Sequence, residues 1–288
     1  MSALLSFLFA ATVVCTWNGN WFPSGDSEHR KHPDVEAATI RASAAMLARG
    51  LAEVDPAGTN DVIFCFNEFR RDAVTNLVRA IGRTNLVVAS VSGYRRRDRF
   101  DYQQDVIATT LPIVEAGWSK FSNAKKETPP RGYAYAALVF SPTTTGLVYV
   151  THLKSNYRAK DAEAARLNRA KRTRAMTEIL AREEETAKGV RRPVIIAGDM
   201  NADCWADEFK DEEIFRLLDE KGYFNALSLL PPDVRWTYPS RSAKYRNSAL
   251  DYVFSRALKP MGLPRVMAND NLSDHDALFV VLDFSAVP

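Results

Sequence analysis

Cysteine and histidine are scarce in this chain. Its 288 residues include three cysteines and four histidines. No CxxC or CxxH pair occurs, which excludes a zinc finger built on those spacings. Cys15 and Cys65 lie inside apolar runs, which is typical of buried free thiols and argues against a disulfide framework.

Long hydrophobic runs and a strong charge of either sign are also missing. No stretch reaches the roughly 20 apolar residues of a transmembrane helix, so no stable membrane span is expected. Lysine and arginine total 38 against 35 acidic residues, which leaves a net charge of +3. This balance neither requires a nucleic-acid partner nor excludes a local basic groove.

The composition is that of a globular protein, with 46% hydrophobic and 25% charged residues. That is enough apolar material for a large core. No internal repeat, low-complexity segment or linker rich in Pro, Gly and Ser divides the chain. We therefore expect one domain over residues 12–288, and a monomer.

The first eleven residues stand apart from this domain. Ala3 to Ala11 (ALLSFLFAA) resembles a short signal-peptide core that ends in small residues. Two features oppose that interpretation: no Lys or Arg precedes the core, and the run continues directly into the strand-like TVVCTWN. Cleavage near Ala10 or Ala11 would leave that strand intact. The location stays open, with a secreted or periplasmic protein favoured over a cytoplasmic one.

Hydrophobic periodicity predicts a mixed order of helices and strands. Helices are predicted at residues 34–50, 70–82 and 161–189, with Gly50, Gly82 and Gly189 as their C-terminal ends. Strands are predicted at residues 12–18, 61–68, 85–94, 104–112, 135–141, 146–153, 193–197, 249–258 and 277–284. This order favours an α/β or α+β domain in which sheets pack face to face with helices outside.

A polar residue able to bind a cation or a phosphate stands at one end of most of the buried strands. Loops at strand ends are where scaffolds carry functional residues. Each residue alone fits a turn, a helix cap or a solvated side chain, but six such strand ends together favour a shared site. The residues are Asn18, Glu68, His152, Asp199 with Asn201, Asp251, and Asp274 with His275.

The residue types in this set indicate metal-assisted phosphoester chemistry. Carboxylate and amide oxygens suit Mg²⁺ or Mn²⁺; the candidates are Asn18, Glu68, Asp274 and, as a further one, Asp199. His275 can act as a general base for water if a carboxylate holds its other nitrogen, and Asp251 is our choice for that carboxylate. His152 can donate a proton or a hydrogen bond to phosphoryl oxygens. Together they predict attack of water on a phosphate ester.

The ordered motifs TWN, NE, THL, GDMN, LDYVF and SDH resemble those of the endonuclease/exonuclease/phosphatase superfamily. They extend from Thr16 to His275, nearly the whole chain. The superfamily includes deoxyribonuclease I, apurinic endonucleases, neutral sphingomyelinases and inositol polyphosphate 5-phosphatases. The resemblance implies a four-layer αββα sandwich with two mixed β-sheets face to face and helices outside.

The resemblance also implies a role for each candidate. Asn18, Glu68 and Asp274 would lie at the metal, which is expected to be Mg²⁺, with Mn²⁺ as the alternative. Asp199 and Asn201 would orient water and stabilise the pentacovalent phosphorus, Asp251 would polarise His275, and His152 would face the phosphate. Asp276, directly after the histidine, is not expected to be catalytic.

Three positions depart from the family's usual pattern or are less specific. Asn67 stands where Gln usually precedes the glutamate. Some nucleases of the family carry a further glutamate, and here the corresponding segment is DYQQDVIA, so Gln103 or Gln104 would take its place without charge. Arg131, in PPRGYAY, resembles the arginine that some members place near the scissile phosphate, which makes it a substrate-binding candidate.

The substrate does not follow from these motifs, because substrate choice in this scaffold lies in variable loops. The loops RRRDR (95–99) and RSAKYR (241–246), with Trp205 and Tyr245 nearby, fit either phosphate contacts or a solvated surface. They favour DNA or RNA and an endonuclease of deoxyribonuclease I type. The alternatives are a lipid or small-molecule phosphoester and, from another class, a non-catalytic binding module on the same scaffold.

Overall fold

The computed structural model describes residues 11–26, 30–96, 99–100, 102–156, 159–190, 192–240 and 246–284. Within these ranges the helices are α1 Pro33–Val54, α2 Arg71–Ile81, α3 Ala162–Ala187 and α4 Glu213–Glu220. The strands are β1 Thr12–Phe22, β2 Asp61–Phe69, β3 Val87–Val91, β4 Arg95–Arg96, β5 Arg99–Phe100, β6 Gln104–Thr109, β7 Ile113–Ser119, β8 Tyr133–Ser141, β9 Thr144–Thr151, β10 Val194–Asp199, β11 Phe224–Asn225, β12 Asp251–Arg256, β13 Lys259–Pro260, β14 Arg265–Met267 and β15 Ala277–Asp283.

Two mixed sheets hold most of these strands. Sheet I has the order β13-β15-β1-β2-β6-β3, with β14 also paired to β15. Sheet II has the order β11-β12-β10-β9-β8-β7, and β4 pairs with β5 in a separate hairpin. The pairs β1–β2 and β9–β10 are parallel, whereas the other neighbours in both sheets are antiparallel.

The layers follow from alternation along the strands, whose successive side chains point to opposite faces of a sheet. In β1, Val14 joins the core between the sheets, which also contains Val148 and Ile195 of sheet II. Its neighbours Val13 and Cys15 point the other way, into a second core under α1 and α2. On the far side, α3 and α4 pack on sheet II. The described residues thus confirm the four-layer sandwich.

Gly50 corrects one predicted boundary. It lies inside α1, which continues to Val54, rather than at the end of the helix. A Cβ atom at Gly50 would come within 2.3 Å of the Phe279 ring on β15. Gly50 therefore serves close packing of α1 on sheet I, a tertiary requirement that resembles a helix stop in the sequence. By contrast, Gly82 ends α2 in the left-handed conformation, with φ of 71°, as predicted.

Several predictions concern the ends of the chain and its loops. The signal-like residues 1–10 lie outside the described residues, as do Arg97, Asp98 and the loop residues 241–245. No helix in the described ranges is both long and apolar enough to cross a membrane. Cys15 and Cys65 are buried free thiols, as expected.

The strand ends that carry the candidate residues meet along one rim of the sandwich. In sheet I, Asn18 of β1 lies beside Asn67 of β2, so that Glu68 follows at the same edge. In sheet II, Asp199 at the end of β10 is opposite Asp251 at the start of β12. Because β1 and β2 also contact β10, the polar ends of both sheets face each other.

The packing at Gly50 gives a first prediction. Gly→Ala inside a helix normally stabilises by roughly 0.5–1 kcal/mol, but at Gly50 the added methyl meets Phe279. We expect Gly50→Ala to lower the free energy of unfolding by about 1–3 kcal/mol, as overpacking does, measured by urea denaturation. Ala52→Gly, at an exposed position of the same helix, is the control that measures helix propensity without packing. There the change from Ala to Gly should lower the free energy of unfolding, so that Gly is the better residue at position 50 and Ala the better one at position 52. A higher urea midpoint for Gly50→Ala would contradict the packing role.

Candidate active site

A histidine–carboxylate pair lies at the centre of the rim. Nδ1 of His275 is 2.6 Å from Oδ2 of Asp251, and both side chains are buried. With Asp251 as a carboxylate, Nδ1 carries the proton that is donated, and Nε2 is left facing Asp199, whose Oδ2 is 3.9 Å away. This is the orientation that a general base needs, with the carboxylate fixing the tautomer. The structure thus brings together the pair that the sequence predicted.

The electrostatics of this pair strengthen His275 as a base. Burial acts to lower its pKa, but the charge and hydrogen bond of Asp251, with the charges of Asp199 and Asp274, outweigh it and raise the pKa to about 10. Burial raises the pKa of Asp199 to about 7, helped by the charge of Asp251 and opposed by that of His275. Of the two residues, His275 therefore holds its proton more strongly.

Asp199 connects the two histidines. Its Oδ2 lies 3.4 Å from Nε2 of His152 and accepts a hydrogen bond from Nδ2 of Asn18 at 2.9 Å. Burial, with the charge of Arg131, holds the pKa of His152 well below its usual value, so that this imidazole is neutral. Neutral His152 can donate a hydrogen bond toward the space that a phosphoryl oxygen would enter.

Asn201 is fixed beside Asp199. It adopts a left-handed backbone with φ of 50°. Its N–H donates to Oδ1 of Asp199 at 2.8 Å, and its Nδ2 donates to the carbonyl of Leu153 at 3.1 Å. These bonds anchor the GDMN turn to the THL segment, and they hold the Asn201 amide at the rim.

Glu68 offers an oxygen atom that nothing in the described protein satisfies. Nε2 of Gln103 donates to its Oε1 at 2.9 Å, whereas Oε2 is buried without a hydrogen-bond partner among the described residues. Burial raises the pKa of Glu68, and the charge of Asp274 adds to the effect while Arg131 and His275 oppose it. A buried carboxylate oxygen with no donor, within electrostatic reach of a second carboxylate, fits a bound divalent cation.

The other candidates for a cation site are less clear-cut. Oδ1 of Asn18 accepts the N–H of Asn20 at 2.9 Å, which leaves one further lone pair for a cation. Possible ligand atoms of Asp199, Asp251 and His275 lie within 4.8 Å of one another. Because Asp251 and His275 are already hydrogen-bonded, that acidic and histidine cluster serves proton transfer better than it serves a cation. The unsatisfied oxygen of Glu68 fits a metal ligand, and a metal role for Asp274 stays a prediction.

Arg131 lies at the site but is largely engaged by the protein. Its Nη1 donates to the carbonyls of His152 and Leu153 at 2.7 and 3.1 Å, and its Nε donates to Oε1 of Gln103 at 3.2 Å. These bonds position the THL segment and, through Gln103, the Glu68 carboxyl. Contact with substrate stays a prediction for Arg131.

The structure also decides between the two glutamines. Gln103 bridges Arg131 and Glu68, whereas Gln104 bonds Ser92 and both backbone groups of Tyr94. Of the two, Gln103 is therefore the one that bonds Glu68. Gln104 begins β6 and Gln103 directly precedes it, and the sequence did not reveal which of the two side chains faces the site.

Sequence reasoning missed the supports of the His275 loop. The Thr237 hydroxyl accepts the N–H groups of Leu250 and Asp251, and its carbonyl accepts that of Asp276. The Tyr238 ring lies edge-on to His275, with centroids 5.1 Å apart. No motif marks these residues, because their roles arise only when the WTY segment packs on β12. Asp276 accepts hydrogen bonds from the backbone N–H and the side-chain amide of Asn269, and its absence from the chemistry stays a prediction.

Comparison with known proteins gives one family and several similar folds. A model of the endonuclease/exonuclease/phosphatase family matches residues 15–275. No curated protein matches the chain in sequence.

Similar solved structures include three whose coverage is almost complete. A family protein from Leptotrichia buccalis is 16% identical with a TM-score of 0.63, over 95% of this chain and 100% of the other. The human nocturnin catalytic domain with bound sulfate anion is 16% identical with a TM-score of 0.65, over 96% and 95%. A mannosyl-6-phosphatase from Bacteroides thetaiotaomicron is 14% identical with a TM-score of 0.64, over 95% and 100%. At such identities these structures are similar in fold alone.

The unsatisfied oxygen of Glu68 gives a prediction about stability. In EDTA at pH 8 we expect Glu68→Gln to raise the melting temperature by about 2–4 °C, which is ~1 kcal/mol in a domain of this size. The raised pKa of Glu68 means that the folded protein favours the protonated form. The advantage of the amide therefore grows as the pH rises above the usual range of a glutamate.

Magnesium should reverse the order of the two proteins. Mg²⁺ is expected to raise the melting temperature of the wild type through binding to the folded state and to have little effect on Glu68→Gln. Glu220→Gln, on the exposed face of α4, should behave as the wild type does. An equal response of Glu68→Gln to Mg²⁺ would exclude Glu68 as a ligand.

Proposed function

The chain belongs to the endonuclease/exonuclease/phosphatase family of phosphoester hydrolases, and on this premise we propose that it is a monomeric endonuclease that hydrolyses DNA or RNA with the help of Mg²⁺. The observation that carries the proposal is the pairing of two different groups across one rim. The His275–Asp251 pair offers a base on one side, and Glu68 offers an unsatisfied carboxylate oxygen on the other.

The His275–Asp251 pair would activate water. Neutral Nε2 of His275 accepts a proton from the attacking water, and Asp251 stabilises the imidazolium that forms. The raised pKa of His275 makes it a strong acceptor once it is neutral. The proton can later pass to the leaving oxygen, so that water adds to phosphorus as the P–O ester bond breaks.

Residues on the other side of Asp199 would bind the phosphate. His152 and the Asn201 amide provide hydrogen bonds to phosphoryl oxygens as negative charge grows on them. Glu68 and Asp274, with the amide oxygen of Asn18, would hold a divalent cation, as members of this family typically do. When bound, the cation neutralises phosphate charge and lowers the energy of the pentacovalent transition state.

Two exposed arginine–aromatic groups in the described surface support a nucleic-acid substrate. The Phe100 ring, 42% exposed, has the guanidinium carbons of Arg95 and Arg71 at 4.6 and 5.3 Å from its centroid. Trp205, 39% exposed, carries the Arg235 guanidinium at 4.0 Å from its ring centroid. Arginine pairs with phosphates and aromatic rings stack on bases. In our proposal both groups contact the nucleic acid.

A small phosphoester is the second candidate. The similarity in fold to a mannosyl-6-phosphatase favours a sugar phosphate over a lipid, and the same rim chemistry would serve it. The test of the proposal must therefore separate a phosphodiester in a polymer from a phosphomonoester.

The decisive experiment is the nicking of supercoiled plasmid in Mg²⁺. We expect the wild type to nick the plasmid, EDTA to abolish nicking, and His275→Ala to reduce the rate by a factor on the order of 10³ or more, as loss of a catalytic base does. Parallel reactions contain bis(p-nitrophenyl) phosphate or mannose 6-phosphate. Release of phosphate from the sugar ester, with the plasmid left intact, would replace the nuclease proposal by the phosphatase one.

The pKa of His275 gives a prediction on pH dependence. Asp251→Asn removes the charge that raises this pKa, so the acid limb of the pH–rate profile should move to lower pH. The maximal rate should nevertheless fall by a factor on the order of 10² or more, because the imidazolium loses its counter-charge. Asp276→Asn is the control, since that carboxyl bonds Asn269 and not the imidazole. An unmoved acid limb in Asp251→Asn would show that His275 does not titrate in the reaction.

A further inference from the structure

Asn67, the residue that departs from the family's usual Gln, connects the two sheets. It is fully buried in β2 of sheet I. Its Oδ1 accepts the backbone N–H of Asp199, in β10 of sheet II, at 2.9 Å. Its Nδ2 donates to Oδ1 of Asp105, in β6, at 2.7 Å. One side-chain amide therefore links the strand that leads to Glu68 with the strand that ends at Asp199.

Asp105 determines which way this amide points. A backbone N–H can only donate, so Asn67 must turn its oxygen toward Asp199. Its NH₂ group then needs an acceptor on the other side, and Asp105 provides a carboxylate oxygen there. Without that acceptor, the amide would be left with a buried, unpaired donor. The orientation of the amide thus follows from the whole three-residue chain.

The approach of the two sheets is close at this point. Gly198, which precedes Asp199, has φ of 129°, and a Cβ atom there would lie 2.9 Å from Oδ1 of Asn67 and 2.2 Å from the carbonyl oxygen of Thr151. The absence of a side chain at Gly198 lets Asn67 reach the backbone of β10. The hydrogen bond fixes the Asp199 backbone, whose carboxylate lies between His152 and His275.

Burial of the Asp105 carboxyl group in the interior of β6 is energetically unfavourable. It is fully buried, and its Oδ2 has no hydrogen-bond partner among the described residues. Burying a carboxyl group with an unpaired oxygen destabilises a protein, and an apolar side chain would fill the same space at less cost. Its backbone N–H is held by the Ser92 hydroxyl at 2.9 Å, which keeps the carboxyl aimed at Asn67.

We infer that Asn67 and Asp105 form a positioning pair for the Asp199 carboxylate. The pair holds Oδ2 of Asp199 at 3.4 Å from Nε2 of His152 and at 3.9 Å from Nε2 of His275. Neither residue touches the substrate, and both act through Asp199. The inference rests on the proposed function, because it assigns the pair to the hydrolysis at this rim. It also accounts for Asn67 where the family usually has Gln. The Asn side chain is shorter, and the carboxylate of Asp105 provides the acceptor for its Nδ2.

Two substitutions at Asp105 test the pair. Asp105→Asn keeps a side-chain oxygen that can accept from Nδ2 of Asn67, so kcat should stay within about threefold of the wild type. Asp105→Leu is similar in size but removes the acceptor, so kcat should fall about 10- to 100-fold while KM stays within about twofold. The double variant Asp105→Leu with Asn67→Ala should lose no more kcat than the more affected single variant. Both changes break the same series of hydrogen bonds, from Asp105 through Asn67 to Asp199.

Hydrogen exchange at the Asp199 amide measures the positioning without any substrate. By NMR, this amide should be protected in the wild type and in Asp105→Asn, and should exchange at least tenfold faster in Asn67→Ala and Asp105→Leu. Thr109→Val is the control on the same strand: Thr109 is also fully buried, and its hydroxyl accepts the N–H of Leu111. That variant should lose some stability and keep both kcat and the protection of Asp199.

These experiments distinguish a failure of the positioning pair from a failure of the proposed function. Wild-type kcat and full Asp199 protection in a folded Asp105→Leu variant would overturn the positioning pair. A fall in kcat equal in Asp105→Asn and Asp105→Leu would also overturn it, because charge rather than an acceptor would then matter. If the wild type cleaves no phosphodiester, the proposed function fails, while the exchange experiment still decides whether the pair fixes Asp199.

Discussion

The rim where the two sheets meet is governed by the cost of holding carboxyl groups away from water. Glu68, Asp105, Asp199 and Asp251 are all at most 9% exposed. Burial raises the pKa of Asp105, and the charges of Asp199 and Glu68 add to the effect; the charge of Asp251 acts in the same direction on the pKa of Asp199. Buried charges of like sign repel strongly and lose their hydration. Most of the polar contacts at this rim serve to compensate that cost: Gln103 bonds Glu68, His275 bonds Asp251, and Asn18 bonds Asp199. The second oxygens of Glu68, Asp105 and Asp251 have no hydrogen-bond partner among the described residues, and that of Glu68 is our candidate for a cation ligand.

A rigid aromatic layer supports the strained backbone that brings these groups together. Glu68 has φ of 61°, and the pairing of β2 is irregular between Phe66 and Phe69. Such conformations cost on the order of 1–3 kcal/mol and persist only where the surroundings enforce them. Here the stacked rings of Phe66 and Phe69, 4.7 Å apart, lie under the bulge. Trp17 packs edge-on to Phe69 and also donates its indole N–H to the carbonyl of His275. The same aromatic layer therefore contacts both the Glu68 side and the His275 side of the rim and fixes them relative to each other.

The residues that define the reaction lie at buried strand ends, whereas the exposed arginine–aromatic groups lie outside the core. The family membership and the buried rim define a phosphoester hydrolase, and they depend on residues at strand ends that the core holds in place. The exposed Arg235–Trp205 and Arg95–Phe100 groups lie on loops and a short hairpin, where side chains are free to vary without disturbing the core. We therefore expect substrate choice to depend on exposed residues such as these rather than on the buried rim.

The sequence by itself determined the residues of the candidate site, the order of the main helices and strands, and the sandwich architecture. The helices, strands and site residues follow from local signals: apolar runs, helical spacing, and polar residues placed where strands end. The four-layer sandwich followed from the resemblance of the ordered motifs to those of the family. The tertiary structure alone decided the rest. It turned Gly50 from a helix end into a packing position, selected Gln103 over Gln104, and showed that Arg131 bonds the backbone. It also revealed Thr237, Asn67 and Asp105, whose partners lie far away in the sequence. A hydrogen bond between two sheets depends on which residues face each other after folding, and no local pattern records that.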